Sequence, residues 1–311
     1  MIVSFLIFLV SLFLLVKGAT LSTKYAVLLA ESFALSKYIV GFIIVAVISI
    51  LPETLVSINS VIEQTPSFWL SILFWSNVAD LTLVFAVIIF FASKSIKIEP
   101  GILKNNRIFP LFLLLPIILG VDWFYNRIDW LALILMWVAF YLISLNSSSI
   151  DYTKPTEVDK KNRYKIFLFL LGGIVLLLFG AHFIVVSALE ISEFLGVNSL
   201  FIGMLIVALG TVMPELLFSL KALKQGNDSL AVWDILGSVL ADATVVVWIL
   251  ALCQPFAFPV KIIYTTGAFM FLASFLLFFF MSSERKLSQK EAFLLFLFWI
   301  AFIIIEFWLS H

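Results

Sequence analysis

Cysteine and histidine are almost missing. In 311 residues there is one cysteine, Cys253, and there are two histidines, His182 and His311. No disulfide can form within the chain, and neither a thiolate cluster nor an imidazole-rich zinc or copper site can be assembled. Charge is scarce too: 12% of residues are charged, the formal net charge is zero, and no basic run suggests a nucleic-acid partner. What remains is apolar. Hydrophobic residues make up 63% of the chain and the mean hydropathy is +1.19, whereas soluble domains hold roughly 45–50% apolar residues. Such a composition specifies a polytopic membrane protein.

Apolar runs long enough to span a bilayer fall at about 2–33, 38–62, 67–93, 107–121, 128–146, 165–195, 199–223, 229–256, 260–282 and 290–309. The first is not read as a cleavable signal, because it has no basic n-region, Lys17 interrupts it, and its counterpart lies mid-chain. That counterpart exists because the chain contains itself twice. Subtracting 162 from Gly203, Pro214, Glu215, Ser219, Ser238 and Asp242 lands on Gly41, Pro52, Glu53, Ser57, Ser76 and Asp80. The register never slips: Gly180 maps to Gly18, Glu193 to Glu31, Ala208 to Ala46 and Thr244 to Thr82. The expected fold is therefore an all-α polytopic membrane protein, with about ten transmembrane helices in two five-helix repeats. The repeats are expected at 1–146 and 165–311, joined by a polar linker at 147–164.

Lys and Arg set the orientation. With the N-terminus outside, the inner loops carry 15 of the 19 basic residues, leaving Lys17, Lys24, Arg127 and Lys261 elsewhere. This bias places both termini outside a cell membrane and the central loop in the cytoplasm. Because each repeat holds an odd number of spans, the second enters from the opposite side, so the repeats are inverted. The long first and sixth spans exceed a bilayer core of about 30 Å and are expected to tilt and to be the sliding part.

Acids sit where lipid would be. Pro52 has no N–H to give, so its helix should break around Ser49–Pro52, freeing carbonyls at mid-membrane just before Glu53; Pro214 and Glu215 repeat the pattern. A kinked helix with a merely hydrogen-bonded Glu would account for one such break, but less readily for two. Ser76 and Asp80 are four apart, on one helical face, and Ser238 and Asp242 copy that spacing. Free carbonyls, hydroxyls and carboxylates together make a cation site. Asp234 has no matching acid, since Ile72 stands at its position, and it reads as a cap or rim charge. Glu190 and Glu193 read as facing water, Glu306 as interfacial, and the 34 Phe and nine Trp as lipid-facing and interface residues. His182 lies opposite Thr20 in the repeat register, which argues against a symmetric proton relay.

The sequence GTVMPE at 210–215 followed by GSVLAD at 237–242, duplicated in inverted repeats, resembles the calcium/cation antiporter superfamily, especially the prokaryotic sodium/calcium-exchanger-like proteins. The resemblance implies an antiporter in which Glu53 and Glu215 are the principal calcium ligands and Asp80 and Asp242 line the central site. It further implies that Ser49, Thr211, Ser76, Ser238, Ala46 and Ala208 complete the calcium and sodium sites through hydroxyls and carbonyls. The chain departs from the family pattern at Ile48, Ile50, Val212 and Trp75. Ile50 and Val212 replace hydroxyls that flank the sodium sites in sodium-coupled members.

Ca²⁺ takes six to eight oxygens, which two Glu, two Asp, hydroxyls and broken backbone can supply; Mg²⁺ ranks second. Four carboxylates around one divalent ion leave two charges over, which protons can neutralise; the hydroxyls lost at Ile50 and Val212 favour protons slightly above sodium as the exchanged ion. An intramembrane aspartyl protease built on Asp80 and Asp242 is the competing class, but it leaves both Pro-Glu pairs unexplained. The expected partners are inorganic cations and lipid, with no cofactor, and the chain is expected to be a monomer.

Overall fold

The structure is a computed structural model and describes residues 2–31, 50–92, 94–98, 109–145, 160–195, 207–224, 226 and 228–310. Helix α1 (Ile2–Glu31) is followed by α2 (Leu51–Ile62), α3 (Pro66–Ala92), α4 (Phe109–Leu119) and α5 (Asp129–Leu145). The second half holds α6 (Lys160–Leu195), α7 (Ala208–Thr211) and α8 (Met213–Lys224). Helix α9 runs from Asp228–Ala241 through a π turn at Asp242–Val246 into Val247–Cys253. Helices α10 (Ile262–Glu284) and α11 (Gln289–Ser310) close the chain. The repeat extends to the helix ends, because Leu51–Ile62 and Met213–Lys224 begin and end at the same 162-residue offset, as do Pro66–Ala79 and Asp228–Ala241. These are two inverted repeats of about five transmembrane helices each.

Burial separates core from periphery. In α3, 89% of its most apolar window is inside the protein, and in the α9 window 78%, against 24% for α1. Helices α3 and α9, which carry Asp80 and Asp242, are thus the centre of the molecule. Trp75 shows how the first repeat tolerates a bulky residue where the second has Gly237: its ring is fully buried and packs on Trp299 and Phe302 of α11. Several of the aromatics expected to face lipid, Trp69, Trp75 and Phe74 among them, are in fact core residues. The exposed ones are spread over the outer helices, Phe13 on α1, Phe167 on α6, Phe275 on α10 and Trp308 on α11 among them.

Helices α1 and α6 pack along each other, backbone against backbone. A Cβ on Gly180 would lie 2.8 Å from the Leu15 nitrogen, and one on Gly173 2.8 Å from the Ser22 nitrogen. Gly173 and Gly180 are seven apart, two turns on one face, and their repeat counterparts are Ser11 and Gly18, so the seam is lined by small residues from both helices. At 30 and 36 residues the two helices are about 45 and 54 Å long, more than a bilayer core requires. The α6 helix begins at Lys160, five residues before its apolar run, while 147–159 lie outside the described residues.

Two short antiparallel pairings tie the repeats together. Strand β1 (Ile96–Lys97) pairs with β4 (Lys286–Leu287), and β2 (Phe124–Tyr125) pairs with β3 (Phe256–Ala257). Each joins a loop of one repeat to a loop of the other. Beside the first pairing, Lys94 Nζ meets Asp228 Oδ1 at 2.8 Å and the Lys97 N–H donates to Asp228 Oδ2 at 2.9 Å, fixing the start of α9.

Candidate cation site

The two Pro-Glu pairs each open a helix. Pro52 occupies the first turn of α2, with Ile50 before it and Glu53 in that same turn. In the second repeat the helix stops at Thr211, turns at Val212 and resumes at Met213, with Glu215 in the first turn of α8. Proline is tolerated at a helix start, where its missing N–H is no loss, and a carboxylate there is favoured by the helix dipole. The break is short, spanning one residue at Val212, and Pro214 leaves the Gly210 carbonyl without its usual helical donor.

Asp80 and Asp242 each start a π turn, at Asp80–Val84 and Asp242–Val246. Inside each turn a threonine donates back one turn, Thr82 to the Val78 carbonyl and Thr244 to the Leu240 carbonyl. Such back-bonding competes with the regular ladder, and π turns inside α-helices are frequent at functional sites. The Asp-x-Thr pair repeated at 80–82 and 242–244 was the available signal.

The four acids come together. Glu53, Asp80, Glu215 and Asp242 are each at most 3% exposed. Glu53 lies within charge range of Asp242 and Asp80, while Glu215 lies within charge range of Glu53 and Asp80. One oxygen of each, Glu53 Oε2, Asp80 Oδ1, Glu215 Oε2 and Asp242 Oδ1, is buried with no hydrogen-bond partner. Among the described residues none of the four is paired with Lys, Arg or His. Nor do three carboxylate, histidine or cysteine side chains among the described residues converge tightly enough to hold a metal alone. Neutral oxygens must therefore complete any coordination shell. Ser76, Ser238, Thr211 and Ala208 are buried around the acids. The Ser76 and Thr211 hydroxyls donate to the carbonyls of Leu73 (2.9 Å) and Ala208 (3.0 Å), which leaves their oxygen lone pairs for a cation. Ser49 and Ala46 lie outside the described residues. Ile50 and Val212, at the positions of the absent hydroxyls, are buried apolar groups.

Three departures from the sequence expectation concern buried polar groups. Asp234 is neither cap nor rim: it is 1% exposed and accepts a hydrogen bond from Ser219 at 3.0 Å. Trp69 is a buried brace whose indole N–H donates to the Glu53 carbonyl at 3.0 Å, holding the first turn of α2. Glu306 is not interfacial, since it is fully buried and paired with Lys261 at 3.1 Å. His182 meets Asn59 at 3.0 Å, a local contact between α6 and α2.

The family model described as sodium/calcium exchanger protein matches this chain twice, over residues 3–146 and 165–308. The chain belongs to the sodium/calcium exchanger family. As a member of that family it is a transporter and not an enzyme, and the aspartyl protease reading of Asp80 and Asp242 is set aside. A sodium/calcium exchanger relative, MaX1 of Methanosarcina acetivorans, is 23% identical over 99% of both chains. Among solved structures, the sodium-calcium exchanger NCX_Mj superposes with a TM-score of 0.72 at 22% identity, covering 97% of this chain and 98% of its own. The H⁺/Ca²⁺ exchanger CAX superposes with a TM-score of 0.79 at 17% identity, covering 97% of this chain and 82% of its own. At those identities the structural likeness speaks for the fold alone.

Proposed function

We propose that this exchanger-family protein is a secondary active antiporter that trades Ca²⁺ for a monovalent cation by alternating access, with protons favoured over sodium. The observation that carries this reading is the set of four buried carboxylates from symmetry-related positions, each with an oxygen lacking a partner. Burying an ionised carboxylate without a counter-charge is expensive, so the set calls for cations. Glu53 and Glu215 are the principal ligands, Asp80 and Asp242 line the site, and Ser76, Ser238, Thr211 and the Ala208 carbonyl add neutral oxygens. Ser49 and Ala46 do the same from the first repeat. This all-oxygen donor set suits a hard divalent ion and matches Ca²⁺, with its high coordination number, better than Mg²⁺.

Charge balance accommodates proton coupling. One divalent ion offsets two of the four charges and protons on the remaining two acids offset the rest; when Ca²⁺ leaves, two further protons take its place on the acids it vacated. The buried Ile50 and Val212 supply no oxygen where sodium sites would need it. In the cycle, α3 and α9 with the broken helices stay fixed, while α1 and α6, held to each other by their glycine seam, slide across them as a pair. The 1–146 and 165–311 repeats act as two oppositely inserted halves of a monomer. Both termini lie outside the cell membrane and 147–164 is cytoplasmic.

The test is flux in proteoliposomes loaded with ⁴⁵Ca²⁺. Calcium efflux is expected to accelerate when an opposing pH gradient is imposed, and to respond less to an equal Na⁺ gradient. Calcium flux indifferent to both gradients would contradict exchange.

A further inference from the structure

The second repeat buries an acid that the first lacks. Asp234, Ser238 and Asp242 follow each other at four-residue spacing, so they share one face of α9, whereas the same positions in α3 are Ile72, Ser76 and Asp80. On the facing helix, Glu215 and Ser219 are also four apart, on one face of α8. The two faces meet: the Ser219 hydroxyl lies 3.0 Å from Asp234 Oδ2 and 3.2 Å from the Ala231 carbonyl. Asp234 Oδ1 and Glu215 Oε2 are both buried without a hydrogen-bond partner. Among the described residues, the charged groups in range of Asp234 are Glu215 from α8 and Asp80 from α3, both acidic.

A purely structural role for Asp234 would be to accept the Ser219 hydrogen bond and so hold α8 against α9. The first repeat argues against that necessity. There Ile72 is fully buried, the Ser57 hydroxyl has no partner, and α2 still packs against α3 with the same helix boundaries. The helices form and meet without the acid, and the acid adds a fifth buried carboxylate to a set that a single divalent ion already leaves uncompensated.

We infer that Asp234, Ser219 and Glu215 form an additional monovalent-cation position, present only in the second repeat, that takes up a proton or Na⁺ beside the central ion. This rests on the antiport reading above and deepens it, because the extra position adds one counter-ion per Ca²⁺ and makes the two halves of the transport site unequal.

The experiment is a reversal measurement. Proteoliposomes carry a fixed Ca²⁺ gradient at a membrane potential clamped with K⁺ and valinomycin, and the counter-ion gradient that nulls net ⁴⁵Ca²⁺ flux is found in separate proton and Na⁺ arms. In the arm that drives the wild type, Asp234→Asn is expected to exchange with one fewer counter-ion per Ca²⁺, and Asp234→Glu to restore the wild-type ratio. An unchanged ratio in Asp234→Asn would overturn the inference. Should that variant move no Ca²⁺, displacement of ⁴⁵Ca²⁺ from the purified protein by H⁺ or Na⁺ decides. A Hill slope lower by about one, with Ca²⁺ affinity kept within about threefold, supports the site; the wild-type slope overturns it. A wild type whose flux ignores both gradients would instead sink the antiport reading, and the displacement slope would still show whether Asp234 holds a cation.

Discussion

Glu53→Gln and Glu215→Gln are each expected to cut Ca²⁺ transport by at least ~100-fold, because even outer-shell partners of a metal are worth 10–100-fold and these are first ligands. The amide keeps the size of the side chain but removes its charge and one acceptor oxygen. Both glutamates sit in the first turn of a helix behind a proline, so the backbone has no need of the charge to hold its shape. Stability should not follow function. Each carboxyl is buried with an oxygen lacking a partner, and without calcium it carries a proton in the cycle proposed above, so an amide of the same size replaces one neutral buried group by another. Without calcium the variants should therefore melt no lower than the wild type, and the rise in Tm that Ca²⁺ gives the wild type should be lost. Glu190→Gln makes the same chemical change on the exposed side of α6 and should transport as the wild type does. Transport retained in either Glu53→Gln or Glu215→Gln would remove that residue from the site.

Lys261→Met is expected to be the most destabilising single change away from the acids. Glu306 is fully buried on α11, Lys261 Nζ sits 3.1 Å from its carboxylate, and Thr266 donates to the other oxygen. Lys261 also donates to the Glu306 backbone carbonyl at 3.2 Å, so it holds the helix as well as the charge. Breaking a buried pair by removing one partner costs about 3–5 kcal/mol, because the remaining charge is stranded; replacing both partners by apolar groups is often close to neutral. The lysine is 24% exposed, which places the loss at the lower end of that range. Thermal unfolding in detergent should show a large drop in Tm for Lys261→Met, and Lys261→Met with Glu306→Leu should recover most of it. A double variant as unstable as the single one would mean that the pair acts through packing and not through charge.

The contrast between Glu306 and Glu53 explains what was legible in the sequence. Glu53, Glu215, Asp80 and Asp242 could be found because duplication printed them twice, in a register that the helix boundaries and π turns follow. Glu306 has no second copy, and its counter-charge lies 45 residues away on another helix, a contact that no local spacing reveals. Asp234 was misjudged for the same reason. Facing Ile72 in the repeat register, it lacked the one signal that marked its neighbours, and its tie to Ser219 exists only once α8 lies against α9. Trp69 looked like an interface aromatic because composition records how many tryptophans there are and not which way they face. The π turns at Asp80 and Asp242 left only the repeated Asp-x-Thr as a trace, since the residues flanking them keep ordinary helical dihedrals. The strand pairings that join the repeats were invisible at two residues each.

The central claim is that both inverted halves give their glutamates to one ion. Crystals grown or soaked with Sr²⁺ or Ca²⁺, with the cation located by its anomalous scattering, test it most directly. The account predicts a single buried ion per chain with carboxylate oxygens of both Glu53 and Glu215 at about 2.3–2.6 Å. An ion bound by one glutamate alone, two ions held separately by the two repeats, or no ion between them at saturating cation would contradict it.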